Sequence, residues 1–304
     1  MSNKITIIGA GAWGSALADL TKANSYQPIL WSRSSGLDLK DAIAGSTAIV
    51  SAVSMAGVNP IISQLQGAIS PAQIIVTATK GLDAKTNSTP SQMWGLAFPD
   101  NPIVVLSGPN LSKEIQAGLP AATVVASRDP SAANTIQTIF SSSQFRVYTN
   151  DDPLGVEIAG TVKNVIAIAA GTCDGLQLGD NAKAALLTRG LAEMIRIGNV
   201  WGAKTETFYG LAGLGDLLAT CSSPLSRNYQ VGYGLAQGQT LKEVLDDLQG
   251  TAEGINTTQV LMQIAQKNDV YMPITTLVDR LLRGEITPSA AVLALMSRDR
   301  KSES

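Results

Sequence analysis

Ile5-Thr-Ile-Ile-Gly9-Ala-Gly11-Ala-Trp13-Gly14 is the stretch on which the fold turns. Four β-branched residues predict a short buried strand, and the alanine- and leucine-rich residues 12–23 behind it predict a helix. Between them the glycines stand at the spacing G-x-G-x-x-G. The spacing alone is a weak signal in a chain with 28 glycines. Its place directly after a strand and before a helix makes it specific. Gly9 permits a tight turn, Gly11 admits a pyrophosphate close to the backbone, and Gly14 lets the helix lie on the strand. The free N–H groups at the helix start then face the phosphates. The segment from Lys4 to Ala18 also imitates a secretory leader, but three glycines are poor in a helical apolar stretch.

Working outward, short β-branched runs alternate with helical patterns. Strands are expected at residues 4–8, 29–31, 48–52, 74–77, 103–106, 122–126 and 146–148, and helices at 12–23, 57–65, 111–117 and 131–140. Continuous apolar strands separated by helices predict a doubly wound, Rossmann-type, mostly parallel sheet covered on both faces. Asp151-Asp152-Pro153 breaks the pattern, and beyond it the β-rich runs stop. Helical periodicity follows at 154–170, 182–201, 241–248, 254–267, 274–282 and 289–296, before a polar tail at 298–304. Two domains are expected: residues 1–150, the dinucleotide-binding α/β domain, and residues 151–304, an all-helical substrate-binding and catalytic domain. Ligands of such proteins lie beyond the carboxyl ends of the strands, at the domain cleft.

Composition narrows the function. The chain is 45% apolar and 15% charged with a net charge of −2, so it carries no global basic field for nucleic acid or acidic membranes. No run reaches the roughly 18 consecutive apolar residues of a membrane span. Its two cysteines, Cys173 and Cys221, are too few for a disulfide framework and lack metal-ligand spacing, and read as buried, reduced thiols of a cytoplasmic protein. There is no histidine. Acid–base chemistry therefore falls to a lysine or a carboxylate.

Lys163 is placed for it. In Glu157-Ile-Ala-Gly-Thr161-Val-Lys163-Asn164 and the apolar residues that follow, helical spacing gathers Glu157, Thr161 and Asn164 into one narrow polar stripe. Lys163 points away from that stripe, toward Val156, Ala159, Gly160 and Ala167. An ammonium among alanines and a glycine is poorly solvated, which lowers its pKa and suits a proton donor near neutrality. A lysine that snorkels to a rim is the competing reading.

Further segments add to it. Thr77-Ala-Thr-Lys80-Gly81 puts a lysine just beyond a strand end, and Ser107-Gly108-Pro109-Asn110 follows the next strand and opens a helix. Ala212-Gly-Leu-Gly-Asp216 embeds a carboxylate among apolar residues, with Thr220 one turn later. Ser226-Arg227-Asn228 reads as a helix start with an arginine at its anion-attracting end. At the end of the second strand, Trp31-Ser32-Arg33-Ser34-Ser35 lacks the carboxylate that holds a ribose 2′-OH. Arg33 and its serines suit a 2′-phosphate, so NADP is favoured over NAD. An exposed arginine stacked on adenine would serve either.

Taken in order, these motifs resemble the NAD(P)-dependent glycerol-3-phosphate dehydrogenases of bacterial type. Val162-Lys163-Asn-Val-Ile-Ala and Asn181-Ala-Lys-Ala-Ala-Leu-Leu-Thr-Arg189-Gly-Leu-Ala-Glu193 extend the likeness across almost the whole chain. The resemblance implies reversible reduction of dihydroxyacetone phosphate to sn-glycerol 3-phosphate, with Lys163 as general acid/base. It implies that Asp216 holds Lys163 charged, Thr220 supports it, and Lys80 binds substrate and cofactor and takes part in catalysis. Gly108, Asn110, Asn164, Ser226, Arg227 and Asn228 would line the substrate, with Arg227 on its phosphate. Gly9, Gly11, Ala12, Trp13, Gly14, Arg33, Ser112, Arg227, Thr251 and Glu253 would contact NADP or NAD. No metal is implied. A homodimer and a role in phospholipid supply come from the same likeness.

Two departures stand out. The family usually carries a longer insertion between its second and third strands, so the sheet is expected to lose a strand or helix after Arg33. Asn110 stands where the bacterial motif has Ser or Thr. Arg189 and Glu193, one turn apart, are expected to form a structural ion pair. The rival readings are a similar dehydrogenase acting on a β-hydroxyacid and a cofactor sensor without catalysis.

Overall fold

The computed structural model describes residues 3–248 and 250–299, so the polar tail beyond Asp299 lies outside the described residues. Strands β1 (Lys4–Ile8), β2 (Gln27–Trp31), β3 (Ala48–Ser51), β4 (Ile74–Thr77), β5 (Ile103–Ser107), β6 (Ala121–Ala126) and β7 (Phe145–Asn150) form one sheet in the order β2-β1-β3-β4-β5-β6-β7. Every pairing is parallel except β5 with β6. Helices α1 (Ala12–Ala23), α2 (Leu39–Ile43), α3 (Met55–Leu65), α4 (Pro90–Ala97), α5 (Ser112–Gln116) and α6 (Pro130–Phe140) cover it.

Strands β1, β3, β4, β5 and β6 are largely buried on both faces and correspondingly apolar, while β7 alternates buried and exposed residues. Ile5, Ile7 and Val50 pack under α1 and α6; Ile8, Ile49 and Ile75 pack under α3 and α4. On the short side after Arg33, β2 is the sheet edge, and the chain returns through the five-residue α2, capped by Asp38, to β3 on the far side of β1. Strand order thus reverses between β1 and β3. A crevice opens at such a reversal, beyond the carboxyl ends of the strands.

The second half is helical. It comprises α7 (Pro153–Gly175), α8 (Gly179–Val200), α9 (Thr205–Phe208), a π turn (Leu211–Gly215), α10 (Asp216–Ser222), α11 (Arg227–Ala236), α12 (Leu241–Asp247), α13 (Glu253–Lys267), α14 (Pro273–Leu282) and α15 (Pro288–Met296). Helix α7 is its axis, and α8, α10, α11, α13 and α14 pack around it. By length and mean hydropathy α7 passes as a membrane span, but Glu157 and Lys163 interrupt its apolar run, as the sequence led one to expect, and 89% of its most apolar window is buried inside the protein. It is apolar on most sides because protein surrounds it.

Helices α7 and α11 meet backbone to backbone. A Cβ added to Gly232 would fall 1.8 Å from the Ile168 carbonyl oxygen, and one added to Gly171 would fall 2.0 Å from that of Tyr229. Glycine is required at both places. The expected ion pair between Arg189 and Glu193 does not form. Glu193 is buried and accepts from the Ile274 and Thr275 amides and the Thr275 hydroxyl, capping α14, while Arg189 lies exposed. The first-turn amides of α14 are donors that need a partner, and a buried carboxylate satisfies them better than a solvated arginine satisfies it.

Candidate active site

Asp216 is the point where the two halves meet chemically. The π turn delivers it: the Gly215 amide donates to the Gly210 carbonyl, five residues back, at 3.2 Å. A Cβ on Gly213 would sit 2.0 Å from the Phe208 carbonyl, so the turn depends on its glycine. Such turns occur often at functional sites. Asp216 then opens α10, 2% exposed.

Two ammonium groups converge on it. Lys163 Nζ, from the middle of α7, donates to Asp216 Oδ1 at 2.7 Å and to the Thr220 hydroxyl, which itself donates to Asp216 Oδ1 at 3.1 Å. Lys80 Nζ, from the loop after β4, donates to Asp216 Oδ2 at 2.5 Å and to the Gly108 carbonyl at 3.2 Å. Two cations on one carboxylate leave the cluster with one net positive charge. Each ammonium has three donors and spends two within the protein, leaving one N–H apiece.

Lys163 is buried rather than snorkelling, at 6% exposure. Burial lowers its pKa to about 8; the attraction of Asp216 opposes the shift and the charge of Lys80 adds to it. For Asp216, burial pushes the pKa up, but Lys163 and Lys80 outweigh it and the carboxyl stays below its ordinary value. The pair is therefore an ionised carboxylate holding an ammonium that can lose its proton near neutrality.

Other residues singled out in the sequence surround this centre. Asn110 Nδ2 donates to the Thr123 hydroxyl at 2.9 Å, which leaves its buried Oδ1 without a donor. Ser226 caps α11, accepting from the Tyr229 amide at 3.3 Å, and Asn228 Oδ1 accepts from the Gly254 amide at 2.9 Å. The same Gly254 lies against the carbonyl of Asn164, next to Lys163. Arg227 is exposed, with its guanidinium beside Gly250, and its charge acts on Glu253. Thr251 is exposed beside them. Glu253 opens α13, accepts from the Met55 amide of α3 at 3.1 Å, and has its pKa raised by burial.

The glycine loop lies at the reversal between β1 and β3. Gly9 has φ +115°, and a Cβ there would fall 2.7 Å from the Ala52 carbonyl oxygen; a Cβ on Gly14 would fall 1.8 Å from that of Gly9. Gly11 differs. No atom lies within 4 Å of a Cβ built there, and α1 starts at Ala12 and Trp13 without a side-chain cap. Open space in front of uncapped amides is what a pyrophosphate requires, so the residues present fit a dinucleotide. Ser112 opens α5, which packs on α1. Arg33 is exposed at the end of β2 with no partner among the described residues, while the Ser35 hydroxyl is turned back onto the Ser32 carbonyl at 2.7 Å. Arg33 follows β2 at the sheet edge, three strands from β4, whose following loop carries Lys80.

Three contacts around the cluster escaped the sequence reading: Glu157 accepts from the Ser91 amide and hydroxyl, Thr161 from the Gly81 amide, and the Leu82 carbonyl from Asn256 Nδ2. The only signal was the polar stripe itself, lying in a helix too apolar to be solvated.

Comparison with known proteins matches these two halves in turn. The family model described as NAD-dependent glycerol-3-phosphate dehydrogenase N-terminus matches residues 4–37 and 34–133, and its C-terminus counterpart matches residues 152–293. Proteins named glycerol-3-phosphate dehydrogenase (NAD(P)+) from Nostoc sp. and Trichormus variabilis are 62% and 63% identical over 300 residues, covering 98% of this chain and of each relative. The crystal structure of glycerol-3-phosphate dehydrogenase from Coxiella burnetii is 36% identical and superposes with a TM-score of 0.94, covering 98% of this chain and 99% of that one.

Proposed function

This chain belongs to the NAD-dependent glycerol-3-phosphate dehydrogenase family, and from that membership we propose how its residues share the reaction. The enzyme interconverts dihydroxyacetone phosphate and sn-glycerol 3-phosphate with NAD or NADP. The bridge of Asp216 between Lys163 and Lys80 carries the reading, because it joins a strand-end loop and a core helix at one carboxylate.

When bound, the nicotinamide supplies or accepts the hydride at C2. Lys163 gives its remaining N–H to the C2 oxygen as that oxygen gains charge, and takes the proton back in the reverse direction. Asp216 keeps Lys163 protonated until then, and Thr220 fixes its aim. A positioned acid of this kind is worth about 10²–10⁴ in rate. With a pKa near 8, Lys163 serves both directions around neutral pH. Lys80 directs its free N–H at a substrate oxygen near Gly108, and Asn110 lines the same side of the site. Arg227, with the Ser226 hydroxyl and the Asn228 amide group, takes the phosphate beside Asn164.

Residues 1–150 hold the dinucleotide. Gly9, Gly11, Ala12, Trp13 and Gly14 cradle its phosphates, Ser112 flanks it, Thr251 and Glu253 reach it from the helical half, and Arg33 takes the 2′-phosphate, so that NADP is preferred. Residues 151–304 supply the proton and the phosphate site. The protein acts in the cytoplasm as a homodimer, feeding phospholipid synthesis; sedimentation at a single-chain mass would remove the dimer.

The test is oxidation of NADPH, then NADH, with dihydroxyacetone phosphate and free dihydroxyacetone, set beside reduction of NADP+ and NAD+ with a β-hydroxyacid. Turnover confined to the phosphorylated ketone is expected. Equal turnover of the unphosphorylated ketone would remove the phosphate role of Arg227, and preferred turnover of the hydroxyacid would favour the rival dehydrogenase.

A further inference from the structure

Two members of the polar stripe of α7, Glu157 and Thr161, have no part in the chemistry above, yet both reach the same segment of chain. Thr161 is fully buried, and its Oγ1 accepts from the Gly81 amide at 3.2 Å, one residue past Lys80. One turn earlier, Glu157 accepts from the amide of Ser91 at 2.8 Å and from its hydroxyl. Between these anchors Leu82 is buried in the core of the helical half, and its carbonyl accepts from Asn256 Nδ2 at 2.8 Å. Gly160 completes the seat: a Cβ there would fall 3.5 Å from Lys80 Cε and 2.3 Å from the Ser107 hydroxyl. The arm of Lys80 therefore crosses α7 where α7 has no side chain.

We infer that Thr161 is a positioning residue for Lys80, fixing the 80–82 segment on α7 so that Lys80 meets Asp216 in register with Lys163. Thr161 and Lys163 sit two residues apart on one rigid helix, so the hydroxyl that holds the loop and the ammonium that gives the proton share a single frame. An amide without an acceptor in this dry setting would draw the loop toward another partner and move Lys80 with it. The inference rests on the role proposed for Lys80.

The experiment is a cycle of Thr161→Val, which keeps the shape and loses the acceptor, with Thr161→Ser and Lys80→Ala, followed by kcat and KM for dihydroxyacetone phosphate and NADPH. Thr161→Val should lower kcat roughly 10- to 100-fold, as misplacement of about 1 Å does, with the NADPH KM unchanged. Thr161→Ser should recover most of the loss. In the Lys80→Ala background, Thr161→Val should change kcat by less than about twofold, since the residue it positions is gone. Should Thr161→Val not fold, Thr161→Ala carries the same cycle. A wild-type kcat in the acceptor-less variant, no recovery with serine, or an equal loss in both backgrounds would overturn the inference. Full activity of Lys80→Ala by itself would instead remove the role given to Lys80.

Discussion

Lys80 and Lys163 meet the same carboxylate from different kinds of structure. Lys163 stands in the middle of a 23-residue helix with its side chain 7% exposed, whereas Lys80 hangs from the loop after β4 at 22%. One is fixed by packing and the other by hydrogen bonds from the opposite half. On the proposed roles, a group that exchanges a proton at one atom profits from the first arrangement, and a group that follows a substrate oxygen profits from the second. The carboxylate between them makes both charges tolerable.

Removing Asp216 breaks the comparison outright. In Asp216→Asn two ammonium groups lose the one anion they meet among the described residues, so a fall of about 10²–10⁴ in kcat/KM is expected together with roughly 3–5 kcal/mol of stability. Kinetics and urea unfolding check both. Lys163→Met should match the rate loss but leave stability within about 1 kcal/mol, because Asp216 keeps Lys80. A large loss of stability with near-normal turnover would make Lys163 structural.

Acidity sharpens the same contrast. On the role proposed for Lys163 the reduction uses its protonated form, so kcat/KM for the ketone should fall as pH rises through about 8. The oxidation uses the neutral amine and should rise over the same range. A pH profile for reduction flat from 7 to 9 would remove Lys163 as the acid, since kcat/KM reports the essential group of the free enzyme. The smallest effect is expected farthest from the cluster: Arg33→Ala should raise the NADPH KM about tenfold, for the loss of a charge-assisted bond, and leave that for NADH unchanged. An equal rise in both would assign Arg33 to adenine.

The α/β half was legible because most of its strands, β1 and β3 to β6, are largely buried on both faces and read as near-continuous apolar runs. The starts of β1 and α1 fall where the glycine loop implies, and Lys163 betrayed itself by standing among alanines. The helices around the cluster were harder. Helix α11 carries Gly232 and Gly234, which lower helix propensity, yet Gly232 is needed for contact with α7. The π turn before Asp216 lacks the helical period altogether. Helix α4 begins at Pro90 after a capping box at Thr89 and Gln92, a start signal that its eight residues are too few to reinforce. Glu193 misled for a different reason. Spacing places it one turn from Arg189, but its partners lie 81 and 82 residues away in sequence.

The glycine contact between α7 and α11 has a bearing on substrate length. On the proposed roles, the proton donor lies on one helix and the phosphate-binding start on the other, and main chain touches main chain between them. The spacing of the two helices is thus gauged by the backbone itself, and only the reach of the Lys163 and Arg227 side chains is left to adjust to a substrate one carbon longer.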